Sequence, residues 1–214
     1  MDAPHLHGLY AVTPDTLDDA WLAERVEQAL RGGARAVQYR SKHADAQLRR
    51  RQAQRLLQAC RAHGALFVVN DDVDLALELE ADGVHLGRDD LSVAAARARL
   101  RRGALIGASC YDDLARAERA AQAGADYLAF GSLFPSAVKP GAVRASLELL
   151  RQARGRWRLT LVAIGGIEPD NAARVIQAGA DAVAVITALF SVPDTLAAAR
   201  ALSRLFQQPT MPAL

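Results

Sequence analysis

The chain has 214 residues, 51% of them hydrophobic and 23% charged, a composition typical of a folded globular domain rather than a disordered chain. Its 26 basic and 24 acidic residues leave a net charge of +2, and the basic residues are scattered along the sequence, which argues against nucleic-acid binding. There is no secretory signal and no apolar run long enough to span a bilayer, and two isolated cysteines suggest a reducing compartment, so we expect a cytoplasmic protein without a membrane partner.

Short apolar runs alternate with longer segments of helical periodicity along the chain. Eight runs are predicted as strands: Gly8–Val12, Ala36–Tyr39, Leu66–Val69, Gly83–Leu86, Leu105–Ala108, Tyr127–Phe130, Leu159–Ile164 and Ala182–Ile186. Eight segments are predicted as helices: Leu17–Leu30, Ala44–His63, Val73–Leu79, Val93–Leu100, Leu114–Ala123, Leu147–Ala153, Asn171–Ala178 and Thr195–Phe206. Strands that alternate with helices indicate βαβ units and a parallel sheet.

The joints that lead from a helix into a strand repeat a short motif. It reads Gly-Ala-Arg at 33–35 and Gly-Ala-Asp at 124–126 and 179–181. Glycine just past a helix end adopts the left-handed conformation that stops the helix. Eight units of one strand and one helix in about 200 residues reach the lower size limit of a (βα)8 barrel. A doubly wound sheet would usually carry a glycine-rich turn after its first strand, where this chain has Thr13-Pro14-Asp15.

We therefore predict an α/β fold, a single-domain (βα)8 TIM barrel over residues 1–214, with Gln207–Leu214 as a loose tail. In such a barrel the chemistry lies at the carboxyl ends of the strands. Strand two ends in the stretch from Gln38 to Lys42. Alternation places Gln38, Arg40 and, if the extended chain continues, Lys42 on one side and Tyr39 on the other. A cationic strand end that simply faces solvent is the alternative.

Acidic loops follow strands three and four, at residues 70–72 and 88–90. Mg²⁺ prefers oxygen ligands, usually one or two carboxylates completed by phosphate oxygens and water. Asp71 and Asp90 are suitable carboxylates next to the cationic end of strand two, and Asn70 can hydrogen-bond a phosphate oxygen. The alternative is that the four aspartates of these loops, Asp71, Asp72, Asp89 and Asp90, cap the helices that follow them.

Three later strand ends also carry candidate groups. Ser109 after strand five can donate to a phosphate oxygen or cap the next helix, and the sequence leaves both roles open. The loop at 131–141 is the longest connection without a pattern, and it holds Lys139, one of only two lysines beside 24 arginines, which indicates a functional lid. Gly165–Gly166 and Thr187 follow strands seven and eight, where barrels of this kind usually bind phosphate.

An ordered set of motifs between about Leu9 and Leu189 resembles the thiamine phosphate synthase family. The matching stretches are Leu9-Tyr10-Ala11-Val12-Thr13, Gln38-Tyr39-Arg40-Ser41-Lys42, Asn70-Asp71, Gly83-Val84-His85-Leu86-Gly87, Asp90-Leu91, Gly124-Ala125-Asp126-Tyr127, Phe130-Gly131, Phe134-Pro135, Ala163-Ile164-Gly165-Gly166-Ile167 and Gly179-Ala180-Asp181. The resemblance implies that 4-amino-5-hydroxymethyl-2-methylpyrimidine diphosphate is coupled with a thiazole phosphate. The products would be thiamine phosphate and pyrophosphate, and Mg²⁺ would be required.

Matched by motif position, the resemblance also implies a role for each site residue. Gln38 would contact the pyrimidine. The diphosphate would be held by Arg40, Lys42, Asn70, Ser109 and Lys139, the Mg²⁺ ion by Asp71 and Asp90, and the thiazole phosphate by Gly166, Ile186 and Thr187. The basic residues and Ser109 would act in catalysis, because they neutralise the charge that develops on the departing pyrophosphate.

The chain departs from the family pattern at three places. The usual Thr-x-Thr-Lys of the strand-six loop is Ser136-Ala137-Val138-Lys139 here, so Ser136 keeps a substrate-binding hydroxyl and Val138 does not. Arg88 stands where Gln is common, and Cys110-Tyr111 replaces a more usual Thr-His.

Two other functions fit part of the sequence. A thiazole tautomerase, an isomerase on the same barrel, would rely on a histidine after strand five, where this chain has Tyr111. A non-catalytic barrel that senses a phosphate ligand would need only the loops after strands seven and eight. The sequence leaves the oligomeric state open, a homo-oligomer included.

Overall fold

A computed structural model describes residues 5–135 and 144–207. Its strands are β1 Gly8–Val12, β2 Ala36–Tyr39, β3 Leu66–Asn70, β4 Gly83–Leu86, β5 Leu105–Tyr111, β6 Tyr127–Phe130, β7 Thr160–Ile164 and β8 Ala182–Val185. Its helices are α1 Asp19–Arg31, α2 Ala46–Ala62, α3 Val73–Glu78, α4 Val93–Arg99, α5 Leu114–Gln122, α6 Leu147–Arg156, α7 Pro169–Gln177, α8 Thr187–Phe190 and α9 Thr195–Arg204. Each strand pairs in parallel with the next, and β8 pairs with β1, so the predicted (βα)8 barrel is confirmed.

Three elements differ from the sequence prediction by three residues or more, and one of them is α6, which ends at Arg156 instead of Ala153. β5 continues to Tyr111, three residues beyond the predicted end at Ala108, and its pairing with β6 shifts register after Ser109. The sequence does not show this extension, because the polar side chains of Ser109 and Tyr111 are typical of a loop. The short helix α8 was not predicted, because four residues are too few to show a helical period.

The core forms two layers, one inside the barrel and one between the barrel and its helices. Tyr10, Val68, Tyr127 and Val162 are among the buried residues of the inner layer, each from a different strand. Leu9, next to Tyr10 on β1, belongs to the outer layer. Because both faces of the sheet are covered, the strands are apolar at nearly every position, which explains why they are recognisable as continuous runs.

The repeated joints have the backbone that their glycines predict. Gly33, Gly124 and Gly179 have φ angles of 101°, 92° and 108°, which residues with a side chain rarely adopt. The joint therefore ends each helix within one residue and starts the next strand.

The aspartate of the joint bonds to the backbone of the preceding strand. Asp126 Oδ2 accepts a hydrogen bond from the backbone N–H of Ile106 at 2.6 Å, and Asp181 Oδ2 accepts one from Leu161 at 2.8 Å. Each of these two hydrogen bonds therefore joins the amino end of one strand to the amino end of the strand that precedes it in the sequence.

Within the described residues, no helix is both long and apolar enough to cross a bilayer. Of the predicted tail Gln207–Leu214, only Gln207 lies within the described part of the chain.

Candidate active site

The carboxyl ends of the strands surround a cavity of about 460 Å³. Five residues predicted for the site line it: Gln38, Arg40, Asn70, Ser109 and Ile186. A smaller cavity of about 150 Å³ adjoins the first, shares Ile186 with it, and is lined by Gly166 and Thr187. Residues from β2, β3, β5 and the loops after β7 and β8 therefore meet at one end of the barrel.

The end of β2 orients its side chains by alternation. Gln38 and Arg40 line the larger cavity, whereas Tyr39 packs in the outer core and its hydroxyl donates to Gln52 Oε1 at 2.8 Å. The strand ends at Tyr39, so the alternation does not reach Lys42. Lys42 is exposed and lines neither cavity.

Thr13 fixes the backbone that carries Arg40. Its Oγ1 accepts a hydrogen bond from the N–H of Arg40 at 2.9 Å and donates to the carbonyl oxygen of Arg40 at 3.2 Å. Asp15 Oδ1 accepts from the N–H of Lys42 at 3.1 Å. In the sequence this loop argues against a doubly wound fold, and Thr13 also ends a stretch that resembles the family, but neither observation predicted a role beside Arg40. The signal available in the sequence was the pair of polar residues Thr13 and Asp15 directly after β1, the strand that neighbours β2.

Asp71 and Asp90 come together where β3 and β4 end. Asn70 Nδ2 donates to Asp71 Oδ2 at 2.6 Å, and the N–H of Gly87 donates to Asp90 Oδ2 at 2.6 Å. Burial, together with the hydrogen bond to Asp90 and its negative charge, raises the pKa of Asp71. Two facing carboxylates in this setting are suited to a cation held between them.

Helix capping is carried out by neighbouring residues. Asp72 accepts from the N–H of Leu75 at the start of α3, and Ser92 accepts from the N–H of Ala95 at the start of α4. The capping alternative therefore holds for Asp72 among the four aspartates. In the described part of the chain, no group of three or more His, Cys, Asp or Glu side chains could hold a metal ion, so a cation at the carboxylate pair would need substrate oxygens or water as further ligands.

Ser109 lies within β5, and its hydroxyl faces the cavity. Its Oγ is 2.8 Å from His85 Nε2. Asp113 caps α5 by accepting from the N–H groups of Ala115 and Arg116, so the capping role considered for Ser109 is excluded.

Arg116 joins the ends of β4 and β5. Its Nε donates to the carbonyl oxygen of Ser109 at 2.6 Å, and a terminal nitrogen donates to the carbonyl oxygen of Gly87 at 2.8 Å. Its guanidinium carbon lies 5.7 Å from the ring centre of Tyr111, and that of Arg88 lies 4.9 Å from the same ring. Arg88 and Tyr111, two of the departures from the family pattern, thus contact each other beside the cavity. In the sequence Arg116 resembles any solvated helix arginine.

A chain of buried polar side chains crosses the barrel interior below the cavity. Gln38 Nε2 donates to the hydroxyl of Tyr10 at 2.9 Å, the hydroxyls of Tyr10 and Tyr127 are 3.0 Å apart, and that of Tyr127 is 3.0 Å from His85 Nδ1. The other ring nitrogen of His85 meets Ser109. Burial lowers the pKa of His85 to about 4 and raises the pKa values of both tyrosines. His85 is therefore a structural hydrogen-bonding residue, with both ring nitrogens engaged, and the sequence analysis did not single out the two tyrosines.

The smaller cavity has a backbone that approaches closely. Gly165 and Gly166 have φ angles of 99° and 63°, and a Cβ on Gly166 would collide with the carbonyl oxygen of Pro135. Thr187 is the first residue of α8. The predicted glycine pair is therefore required by the conformation of the loop, and the loop leaves room for a small anionic group.

Ser136 and Lys139, both predicted for the site, lie outside the described residues.

Three comparisons relate the chain to known proteins. A family model described as thiamine monophosphate synthase matches residues 9–189. A thiamine-phosphate synthase of Chromobacterium violaceum is 58% identical over 95% of this chain and 98% of the relative, and one of Thioalkalivibrio sulfidiphilus is 56% identical over 94% and 96%. The solved structure of thiamine phosphate pyrophosphorylase from Pyrococcus furiosus is 38% identical, covers 94% of this chain and 95% of its own, and superposes with a TM-score of 0.85. The chain belongs to the thiamine monophosphate synthase family.

Proposed function

We propose that this chain, a transferase by its family, couples 4-amino-5-hydroxymethyl-2-methylpyrimidine diphosphate with a thiazole phosphate to give thiamine phosphate and pyrophosphate. The observation that carries the proposal is the larger cavity. Gln38, Arg40 and Ser109 all line it, and the carboxylates of Asp71 and Asp90 lie at the adjoining strand ends.

The bond between the pyrimidine methylene carbon and the diphosphate oxygen breaks, and its electron pair leaves with the pyrophosphate. The 4-amino group of the ring donates electrons to the methylene cation, and the thiazole nitrogen then forms the new carbon–nitrogen bond. This reaction needs no side-chain nucleophile. It needs positive charge and hydrogen-bond donors around the leaving group, in a site from which water is excluded.

Arg40, Asn70 and Ser109 are suited to hold the departing diphosphate, because all three line the cavity with a donor group. Lys42 and Lys139 would add ammonium groups and Ser136 a hydroxyl, as their motif positions imply. Asp71 and Asp90 would hold Mg²⁺, which when bound supplies positive charge to the leaving diphosphate. Gly166, Ile186 and Thr187 would hold the thiazole phosphate, since all three line the smaller cavity.

The tautomerase alternative is weaker. The position after Ser109 and Cys110 that would carry its histidine holds Tyr111, whose ring contacts the guanidinium groups of Arg88 and Arg116. The cytoplasm is the location we propose, since Cys60 and Cys110 are both free thiols, as is usual in a reducing compartment.

Pyrophosphate release from the purified chain tests the function. With both substrates and Mg²⁺, release is expected, and omitting either the thiazole phosphate or the metal should abolish it. Arg40→Ala should lower the rate by about 10²–10³-fold, the typical loss when one charge-stabilising donor is removed. The control is Arg35→Ala, because Arg35 is an exposed arginine at the opposite end of the same strand. No pyrophosphate from a wild-type chain with a folded circular dichroism spectrum would refute the proposal.

A further inference from the structure

The five hydrogen-bonding groups in the barrel interior form one unbranched chain. It runs from Gln38 through Tyr10, Tyr127 and His85 to Ser109, with heavy-atom distances of 2.9, 3.0, 3.0 and 2.8 Å. The residues come from β2, β1, β6, β4 and β5, so the chain joins two opposite parts of the cavity wall. Of the five residues, Gln38, His85 and Ser109 line the cavity, and the two tyrosines do not.

The donor at one end sets the direction of every bond. Gln38 Nε2 can only donate, so the oxygen of Tyr10 accepts, and the single proton of Tyr10 goes to Tyr127. The proton of Tyr127 then goes to Nδ1 of His85, whose neutral ring carries its own proton on Nε2. That proton is donated to the oxygen of Ser109. The proton of Ser109 is left free to point into the cavity.

At the other end, Nε2 of Gln38 donates one of its two N–H groups to Tyr10, and this bond fixes the orientation of the amide. Its Oε1 therefore faces away from Tyr10 and is free to accept a hydrogen bond from a ligand, and within the described residues it has no other partner. If the amide of Gln38 turned over, Tyr10 would have to donate to it, and every bond in the chain would reverse. Ser109 would then donate to His85 and offer the cavity only its lone pairs.

We propose that Tyr10, Tyr127 and His85 are positioning residues that couple the two ends, so that the site selects a ligand with a donor at Gln38 and an anionic acceptor at Ser109. This inference rests on the proposed function. An aminopyrimidine diphosphate has both features, with its amino group as donor and its diphosphate as acceptor. A pyrimidine with a carbonyl in place of the amino group would meet the lone pairs of Oε1 at that position. A donor is available at that same position only when the amide turns over, which reverses the chain and turns the lone pairs of Ser109 toward the diphosphate.

The surroundings keep the chain isolated from water and therefore intact. Tyr10 and Tyr127 are each 1% exposed, so neither hydroxyl can exchange its partner for solvent. Gly107 faces Tyr127 across the β5–β6 pairing, and a Cβ at Gly107 would collide with the tyrosine ring and hydroxyl. Glycine at this position is what allows the hydroxyl of Tyr127 to reach both of its partners.

The decisive variant is Tyr127→Phe, which removes one link and keeps the ring. The readout is the ratio of kcat/KM for the aminopyrimidine diphosphate to kcat/KM for its 4-oxo analogue, because the different intrinsic reactivities of the two substrates cancel when variants are compared. Breaking one neutral hydrogen bond should lower this ratio about 3- to 10-fold. A loss of general structure would lower both values together and leave the ratio unchanged.

Tyr39→Phe is the matched control, because it deletes a buried hydroxyl on the neighbouring outer face, where the partner is Gln52. Its ratio should equal that of the wild type. If Tyr127→Phe does not fold, Tyr10→Phe breaks the same chain one link earlier. An unchanged ratio in the folded variant would overturn the inference.

A second measurement needs no substrate and separates this inference from the proposed function. Nitrogen-15 NMR of the ligand-free wild type should show the proton of His85 on Nε2. A proton on Nδ1 would overturn the stated direction of the chain even if the enzyme releases pyrophosphate. If His85 has the expected tautomer but neither substrate turns over, it is the proposed function that fails.

Discussion

Replacing Asp126 tests whether the joint aspartates stabilise the barrel through a backbone hydrogen bond. Asp126 Oδ2 accepts a hydrogen bond from the backbone N–H of Ile106, a residue that is 0% exposed. The Asp126 carboxylate also forms an ion pair with Arg97. In Asp126→Ala the buried N–H of Ile106 loses its acceptor, which typically costs about 1–3 kcal/mol. The ion pair is partly exposed and contributes at most about 1 kcal/mol. For a chain of this length each kcal/mol lowers Tm by about 2–4 °C.

Asp126→Asn separates the two contributions, since its Oδ1 can still accept from Ile106 while the charge is lost. Thermal unfolding followed by circular dichroism should show the Asn variant within about 4 °C of wild type and the Ala variant about 2–12 °C below the Asn variant. Asp74→Ala is the control, because it removes a carboxylate that is 80% exposed and pairs with Arg99. Pyrophosphate release at 25 °C should be unchanged in all three variants, because none of the changes touches the cavity. If Asn loses as much stability as Ala, the ion pair dominates and the reasoning is refuted.

Two further predictions concern the acidic pair and the thiols. Asp71→Asn should lower the rate of pyrophosphate release by about 10²-fold or more and raise the Mg²⁺ concentration needed for activity. Asp72→Asn is the control and should be close to wild type, because Asn also caps helices. Equal losses in the two variants would contradict the metal assignment. Burial raises the pKa of Cys60 and of Cys110 to about 12, so at pH 8 both are protonated. A thiol reagent should label neither in the native chain and both after denaturation, and rapid native labelling would contradict the burial.

The fold was predictable because every strand repeats the same local pattern. A barrel strand covered on both faces is apolar at nearly every position, and the Gly-Ala-Asp joints mark where helices stop. Gln38 and Arg40 line the cavity as alternation predicts, although Arg40 is already one residue past the end of β2. Lys42 lies three residues past that end, where alternation no longer applies, and no sequence pattern fixes the end of a strand to the residue.

The interior chain was not predictable, since it depends on register between strands that are far apart in sequence. Tyr10 and Tyr127 are separated by 117 positions, and each resembles an ordinary core residue. A buried tyrosine hydroxyl nevertheless needs a partner, and Gly107 opposite Tyr127 shows where space was kept for it. Ser109 was ambiguous for a related reason, because only the structure shows that Asp113 caps α5.

Arg116 has a consequence for how the site is assembled. One planar guanidinium binds the carbonyl oxygens of Ser109 and Gly87, so a single rigid group sets the spacing between the strand that carries the cavity hydroxyl and the loop that leads to Asp90. Lysine could not reproduce that spacing, because an ammonium on a flexible stem has no fixed angle between its donors. This part of the cavity wall is therefore preorganised, and no binding energy is needed to order it when a ligand binds.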